Sequence, residues 1–420
     1  MKQRKRQFFK VLLLTIMVFL LAGCRKSTAQ QENKTGDKDG GEQYTIGVVV
    51  YDPDNAEMNM FMNYYREYLA EGFPVKFYFS GKISSAEEEN DFIRTVKKKG
   101  AQGIISFYGQ DIRSTVEVCQ EEELYYVMAS GTISDEEFNA VKDNPWFLGT
   151  VGPDPASEYR AGNDMAKHFA EGKAKSFLVL TGGSMAGNFM HSSRTQGILE
   201  GIAQADGITY TEDVETLVAS DTVRKLDTGN PDISITLSPG YLSTENGMDN
   251  FRQALAEGTY DAVLCAFNVN DILDQIAEKE EEQNADIQVG TVDSFSEVNY
   301  LAFKTKDAFG NSQINYIEGK YASMAGPAFA VLYNAVSGHI EANSESGEAV
   351  RLFQGFWTAT GEREYGELYG YTQGIYENAY SCDDLMNVIW VFNKDTTPDK
   401  LKELTEAYTV EAVKDRILGD

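Results

Sequence analysis

Cysteine and histidine are scarce in this chain: its 420 residues hold four of the first and three of the second. Beyond residue 24 only Cys119, Cys265 and Cys382 remain, so at most one disulfide can form and a disulfide framework is excluded. Cys119 and Cys265 lie in apolar patterns and read as small buried hydrophobes. No Cys/His pair has the spacing of a zinc site. Basic residues are also few, 37 against 65 acidic ones, for a formal net charge of −28. A chain this acidic repels nucleic acid, which excludes DNA and RNA as partners. The acidity itself reads as a solubility feature.

The N-terminus is the exception to that balance. Residues 1–10, MKQRKRQFFK, carry five basic residues and no acidic one, and residues 11–22 are apolar except for Thr15. A basic start, a short apolar run and small residues after it form the signal-peptide pattern. The run is shorter than the roughly 20 residues of a membrane span, and no later apolar stretch reaches that length. Leu21-Ala22-Gly23-Cys24 resembles the bacterial lipobox, which implies cleavage before Cys24 and a multiply acylated, palmitate-bearing cysteine. Removing residues 1–23 takes the formal charge from −28 to −33. Residues 25–43 have no apolar side chain larger than Ala and read as a flexible tether. The expected location is the extracytoplasmic face of the cell membrane, held by a lipid anchor.

The rest of the chain exceeds one ordinary domain of roughly 100–150 residues. It alternates short apolar runs with amphipathic segments. Strands are expected at 44–50, 75–79, 103–107, 124–129 and 146–151, with Trp146 in the core, and helices at 55–71, about 84–96 and 111–122. A second series places strands at 176–181, 208–211, 233–237, 262–267 and 287–292, with helices at 155–171, 188–204, 246–257 and 270–281. Strand–helix alternation predicts an α/β protein with doubly wound parallel sheets. Residues 313–338 read as a long helix carrying Ile317, Tyr321, Met324 and Phe329, returning to the first domain. Residues 350–359 read as a strand that crosses again; residues 361–420 are not placed.

With IGVVVYD (46–52), GTVGPDPASEYRAGNDMAKHFAEG (149–172), NFMHSSRTQGILEGI (188–202) with its Arg194, Gly197 and Gly201, YDAVLCAFNVNDI (260–272) and IQVGTVDS (287–294), the chain resembles the type I periplasmic-binding-protein family over roughly 44–340. That family includes sugar-binding lipoproteins of ABC importers, similar to ribose- and galactose-binding proteins. The resemblance implies two Rossmann-like lobes joined by about three hinge crossovers, with ligand in the cleft. Residues 44–152 with about 314–350 then form the N-terminal lobe, and 153–313 with part of 351–420 the C-terminal lobe. Ligands of open parallel sheets bind beyond the carboxyl ends of the strands. Candidate contacts at those ends are Tyr51, Asp52, Phe107, Tyr108, Ser130, Thr132, Arg194, Asn268, Asp271 and Asp293, with Asn315 near the second crossover. Arg194 offers a rigid donor fork, Asp293 accepts twice, and Tyr51 or Tyr108 supplies an aromatic face for a sugar ring. Where the family often carries an Asp after the fourth strand, this chain has Ser130-Gly131-Thr132, a departure at the usual first-lobe sugar contact.

Bland readings stand beside these: strand-end aromatics pack rims, and Asn268 and Asp271 suit a helix cap. Gly182-Gly183-Ser184-Met185-Ala186 departs from the nucleophile elbow G-x-S-x-G at Ala186, and neither His191 nor His339 sits well as its base. The loop lacks the lysine of a P-loop. Asp52-Pro53-Asp54-Asn55 lacks the glycine and distal glutamate of an EF-hand. The expectation is a monomeric, non-enzymatic solute-binding lipoprotein without metal or cofactor. It captures a small polar ligand, a saccharide, and delivers it to an ABC transporter permease. A sensor for a nucleoside or small signalling molecule, or a serine hydrolase, is the alternative.

Overall fold

The computed structural model describes residues 43–131, 133–185, 189–372, 379–406 and 409–418. The expected signal peptide, Cys24, the tether to residue 42 and the candidate Thr132 lie outside the described residues. Residues from Gln43 onward form one compact unit.

The first sheet has six strands, in spatial order β12-β5-β4-β3-β1-β2. They are β1 (Tyr44–Val49), β2 (Val75–Phe79), β3 (Gly103–Ser106), β4 (Tyr125–Ala129), β5 (Phe147–Pro153) and β12 (Val350–Gln354). Every pair in it is parallel. A parallel sheet is covered on both faces, so its strands are apolar throughout. Ile46, Val48 and Val50 pack into one hydrophobic cluster and Val49 into another, the period-two alternation of a strand buried on both sides.

The second sheet runs β13-β11-β10-β9-β6-β8-β7. Its strands are β6 (Ser176–Thr181), β7 (Arg224–Lys225), β8 (Ser234–Pro239), β9 (Ala262–Cys265), β10 (Gln288–Ser294), β11 (Tyr316–Lys320) and β13 (Trp357–Ala359). The five inner strands are parallel, while the two edges, β7 and β13, are antiparallel. In both sheets the strand order reverses beside the first strand of its series, the mark of a doubly wound fold. The protein is α/β, with two such lobes.

Helix starts follow the sequence. Ser85, Asp111, Asp213, Thr244 and Ser296 each accept a backbone N–H as N-caps, and Asp154 does so directly before Pro155. The first expected helix is interrupted: an α-helix, Ala56–Asn63, passes into a π-helical stretch, Tyr64–Leu69. Tyr64 and Tyr65 in that stretch donate to the carbonyls of Tyr380 and Ala325, which ties this element to distant parts of the chain.

Four expectations need correction. Ile208–Thr211 is not a strand, because β7 takes the edge beside β8. Residues 313–338 are not one helix. Ile317 pairs with Thr291 in β11, and the helix is only Gly326–Val336, opened by Pro327. Fully buried segments carry no polar face, so spacing alone does not separate helix from strand there. Residues 316–320 therefore belong to the second sheet, and the return to the first comes after Lys320, not at 314. Residues 350–359 divide into β12 and β13 across Gly355 and Phe356, which puts one half in each sheet. Trp146 is only half-buried, tilted against Tyr125. Among the described residues, no helix is long and apolar enough to cross a membrane.

Candidate ligand-binding site

At the carboxyl end of β10, Asp293 is fixed by two amides. Its Oδ2 accepts from Asn268 Nδ2 at 2.7 Å and from Asn299 Nδ2 at 2.9 Å. Asn270 in turn donates to Asn299 Oδ1 at 2.7 Å and, through its backbone, to Asn268 Oδ1. Among the described residues Oδ1 of Asp293 has no hydrogen-bond partner. Burial pushes this carboxyl above its ordinary pKa, with the charge of Glu57 adding to the rise and the two amides and Arg194 opposing it.

Arg194 lies on the helix Phe189–Asp206 and is only 4% exposed. Its Nε donates to Glu158 Oε2 at 2.6 Å, and Nη1 donates to the carbonyls of Ala266 and Val292, both at 3.1 Å. Those carbonyls follow β9 and lie within β10, so the guanidinium is locked to the edge that carries Asp293. Nη2 keeps its donors free of any described partner. The helix can sit this close because of its glycines. A Cβ on Gly197 or Gly201 would lie 2.1 or 2.6 Å from the backbone of the helix Pro155–Glu171, and one on Gly162 would lie 2.0 Å from the Arg194 carbonyl. Phe356 lies 6.0 Å from the guanidinium carbon. Beside it, His191 Nδ1 bonds Tyr241 Oη at 2.9 Å, and burial, with Arg194 and Lys320, pushes the imidazole down to about 3, so it is neutral.

The first lobe contributes through the turn after β1. Tyr51 donates to Asn55 Oδ1 at 2.8 Å, and Asn55 also caps the following helix. Burial pushes the Tyr51 phenol far up, and Glu57, Asp293 and Asp52 add to this, which places Tyr51 in the same field as Asp293. Glu57, in the first turn of that helix, accepts from Lys320 Nζ at 3.2 Å. Lys320 ends β11, so this partly buried ion pair joins the carboxyl edges of the two sheets.

No protein-family model and no curated protein sequence matches the chain. Solved structures do. An ABC transporter solute binding protein from Bacillus halodurans C-125 with bound myo-inositol superposes with TM-score 0.54 at 15% identity, covering 79% of this chain and 99% of that one. A periplasmic solute binding protein from Actinobacillus succinogenes 130z with bound D-allose gives 0.54 at 11% identity, covering 77% and 99%. The binding protein of the arabinose transporter from Shewanella sp. ANA-3, bound to L-arabinofuranose, gives 0.52 at 15%, covering 79% and 96%. The chain has the type I periplasmic-binding-protein fold.

On this fold, the structure brings together four of the sequence-derived candidates: Tyr51, Arg194, Asn268 and Asp293. Asp52 sits at the rim, bound by Lys82 Nζ at 2.7 Å, a bond that holds its carboxyl below the usual range. Ser130 is buried with φ 55° and packs against Met324 of the second crossover. Phe107 stacks on Phe61 with centroids 4.7 Å apart, inside the first lobe. Tyr108 turns the other way, against the outer cluster, and bonds Gln110. It offers no face to the cleft, because adjacent positions after a strand point to opposite sides. Asp271 is exposed at the start of a short 3₁₀ turn and joins none of these residues. Asn315 is a clear correction. It accepts from Val289 N–H and donates to the Ser312 carbonyl, at the amino end of the second sheet and away from the cleft.

The sequence reading missed Glu57, Lys320, Glu158, Asn299 and Asn270. Lys320 carries a usable signal, a lysine closing the apolar run YIEGK, which is lost once that run is read as helix. Ser184 donates to Asp221 at 2.5 Å, and no histidine contacts it among the described residues. Glu280, Asp286 and Asp307 gather their carboxylates at the amino end of the second sheet, remote from the cleft residues.

Proposed function

We propose that the chain is an extracytoplasmic solute-binding lipoprotein that captures a saccharide between its lobes and delivers it to an ABC transporter permease, without chemistry on the ligand. The observation that carries this reading is the pairing, on one sheet edge, of a fixed acceptor and a fixed donor that the protein itself does not use. Asp293 Oδ1 and Arg194 Nη2 are both held by bonds on their other atoms. A hydroxylated ring that presents donors and acceptors side by side satisfies both. Tyr51, Tyr241 and Phe356 supply apolar faces around them. The solved binding proteins with myo-inositol, allose and arabinofuranose support the choice of ligand class. We further propose that Cys24 is lipidated and that the protein acts as a monomer on the outer membrane face.

The test is a thermal-shift screen of residues 43–420 against sugars, nucleosides and amino acids. Ligand at a hundredfold excess over Kd adds roughly 2.7 kcal/mol to stability. Stabilisation by one sugar class supports the reading; stabilisation only by nucleosides or amino acids overturns the ligand. The anchor is tested separately: Cys24→Ser moves the protein from the membrane to the soluble fraction and abolishes palmitate labelling.

A further inference from the structure

The charges that meet in the cleft do not balance. Glu57, Glu158 and Asp293 are carboxylates, and among the described residues only Arg194 and Lys320 face them as cations. Neither neighbouring imidazole nor phenol corrects the deficit: His191 and Tyr51 are both neutral. Two of the carboxylates already have cationic partners. Glu158 belongs to Arg194 and is fully buried behind it. Glu57 belongs to Lys320, which comes from the other lobe. Asp293 is the carboxylate left over: its held oxygen is bonded by neutral amides alone.

We infer that, within the saccharide reading on which this rests, the cleft binds a sugar bearing an ammonium group more tightly than its neutral parent and rejects a uronate. An ammonium group in reach of Asp293 and Glu57 neutralises the excess charge and forms charge-assisted bonds, which are stronger than neutral ones. The effect is enlarged by burial, since charges removed from water interact at lower effective dielectric. A carboxylate on the ligand adds a fourth anion to two cations that are already paired. The separation of the lobes sharpens the point. When they part, Glu57 stays beside Asn55 and Tyr51 on the first lobe, while its counter-ion leaves with β11. An incoming cation then replaces a partner that the carboxylate has lost.

The experiment is a calorimetric titration of the chain from Gln43 with glucose, glucosamine, N-acetylglucosamine and glucuronate, and with the matching galactose series. The expected order is ammonium sugar, then neutral parent, then uronate, with a step of roughly tenfold in Kd between members. The N-acetyl sugar keeps the nitrogen but not the charge, and it binds no better than the neutral parent. Glu57→Gln shrinks the ammonium-to-neutral ratio towards one. A uronate bound as tightly as the neutral sugar, or an ammonium sugar bound more weakly than its parent, overturns the inference and leaves the saccharide reading intact. If no sugar of either series binds, the saccharide reading falls and the inference falls with it.

Discussion

The two lobes share a topology but prepare the cleft in different ways. On the second lobe, Asp293, Asn268, Asn299 and Asn270 form a continuous chain of side-chain hydrogen bonds, and Arg194 is held at two of its nitrogens. On the first lobe a single turn, Tyr51 to Glu57, supplies the contacts, and its neighbours are committed elsewhere: Phe107 to Phe61, Asp52 to Lys82. The second lobe thus holds its polar groups in a fixed network, and the first meets it through Glu57. The buried polar cluster of the first lobe centres on Glu89, which accepts from Ser106, Thr115 and Tyr126.

That contrast is sharpest at Arg194. Arg194→Ala leaves Glu158 buried without its cation, so stability falls by about 3–5 kcal/mol in denaturant unfolding and ligand binding is lost. An unchanged unfolding midpoint would mean that the guanidinium is not the lock of this edge. The first lobe carries a pH response of its own, beside that of Glu280 and Glu318 on the second lobe, whose carboxyls burial also pushes up to about 7. Burial pushes the Glu89 carboxyl up to about 7. A carboxyl with a raised folded-state pKa binds its proton more tightly folded than unfolded, so its contribution is full below about 4.5 and is lost as pH rises to about 7. The expected fall from Glu89 is roughly 3 kcal/mol, and Glu89→Gln removes that share of the stability–pH slope while the share of Glu280 and Glu318 stays.

Asp293→Ala separates binding from folding. Affinity drops roughly 100-fold, while stability holds or rises slightly, because a buried carboxylate with a raised pKa is removed. A large loss of stability would make Asp293 a structural residue. The smallest effect is expected on the first lobe: Tyr51→Phe keeps the ring and loses one hydrogen bond to Asn55, costing about 1 kcal/mol in stability and a few-fold in affinity. Should Tyr51→Phe cost as much affinity as Asp293→Ala, the first lobe would be an equal partner and the contrast between lobes would fail.

How much of this was legible in the sequence follows the same division. Both sheets were readable, because apolar runs such as GIIS and SFLVLT alternate with capped amphipathic helices. Asn268 and Asp293 were readable as polar residues that interrupt or follow an apolar run at a strand end. Arg194 stood out through the family resemblance, in a pattern with Gly197 and Gly201 whose role here is the close helix contact. The first-lobe contributors were harder. Glu57 is one more acidic residue in a first helical turn, a place acids occupy for the helix dipole alone. Lys320 and Asn315 were misplaced together, since β11 is buried on both faces and offers no period to distinguish it from a helix. Phe107 and Tyr108, adjacent in extended chain, pack on opposite sides of the first sheet.

The last crossover has a consequence for how the molecule can be observed. Gly355 and Phe356 alone separate β12 from β13, and the three steps from Gln354 to Trp357 span at most about 11 Å. The two sheets therefore cannot slide apart at this point; they can only swivel about it. Trp357 starts the strand on the far side of that pivot, stacked on Tyr321 with ring centroids 3.9 Å apart. The indole sits where a swivel changes its surroundings most, while Trp146 and Trp390 pack within the first lobe. The protein carries its own optical gauge: tryptophan emission, with Trp357→Phe as the blank, should follow the angle between the lobes without any attached dye.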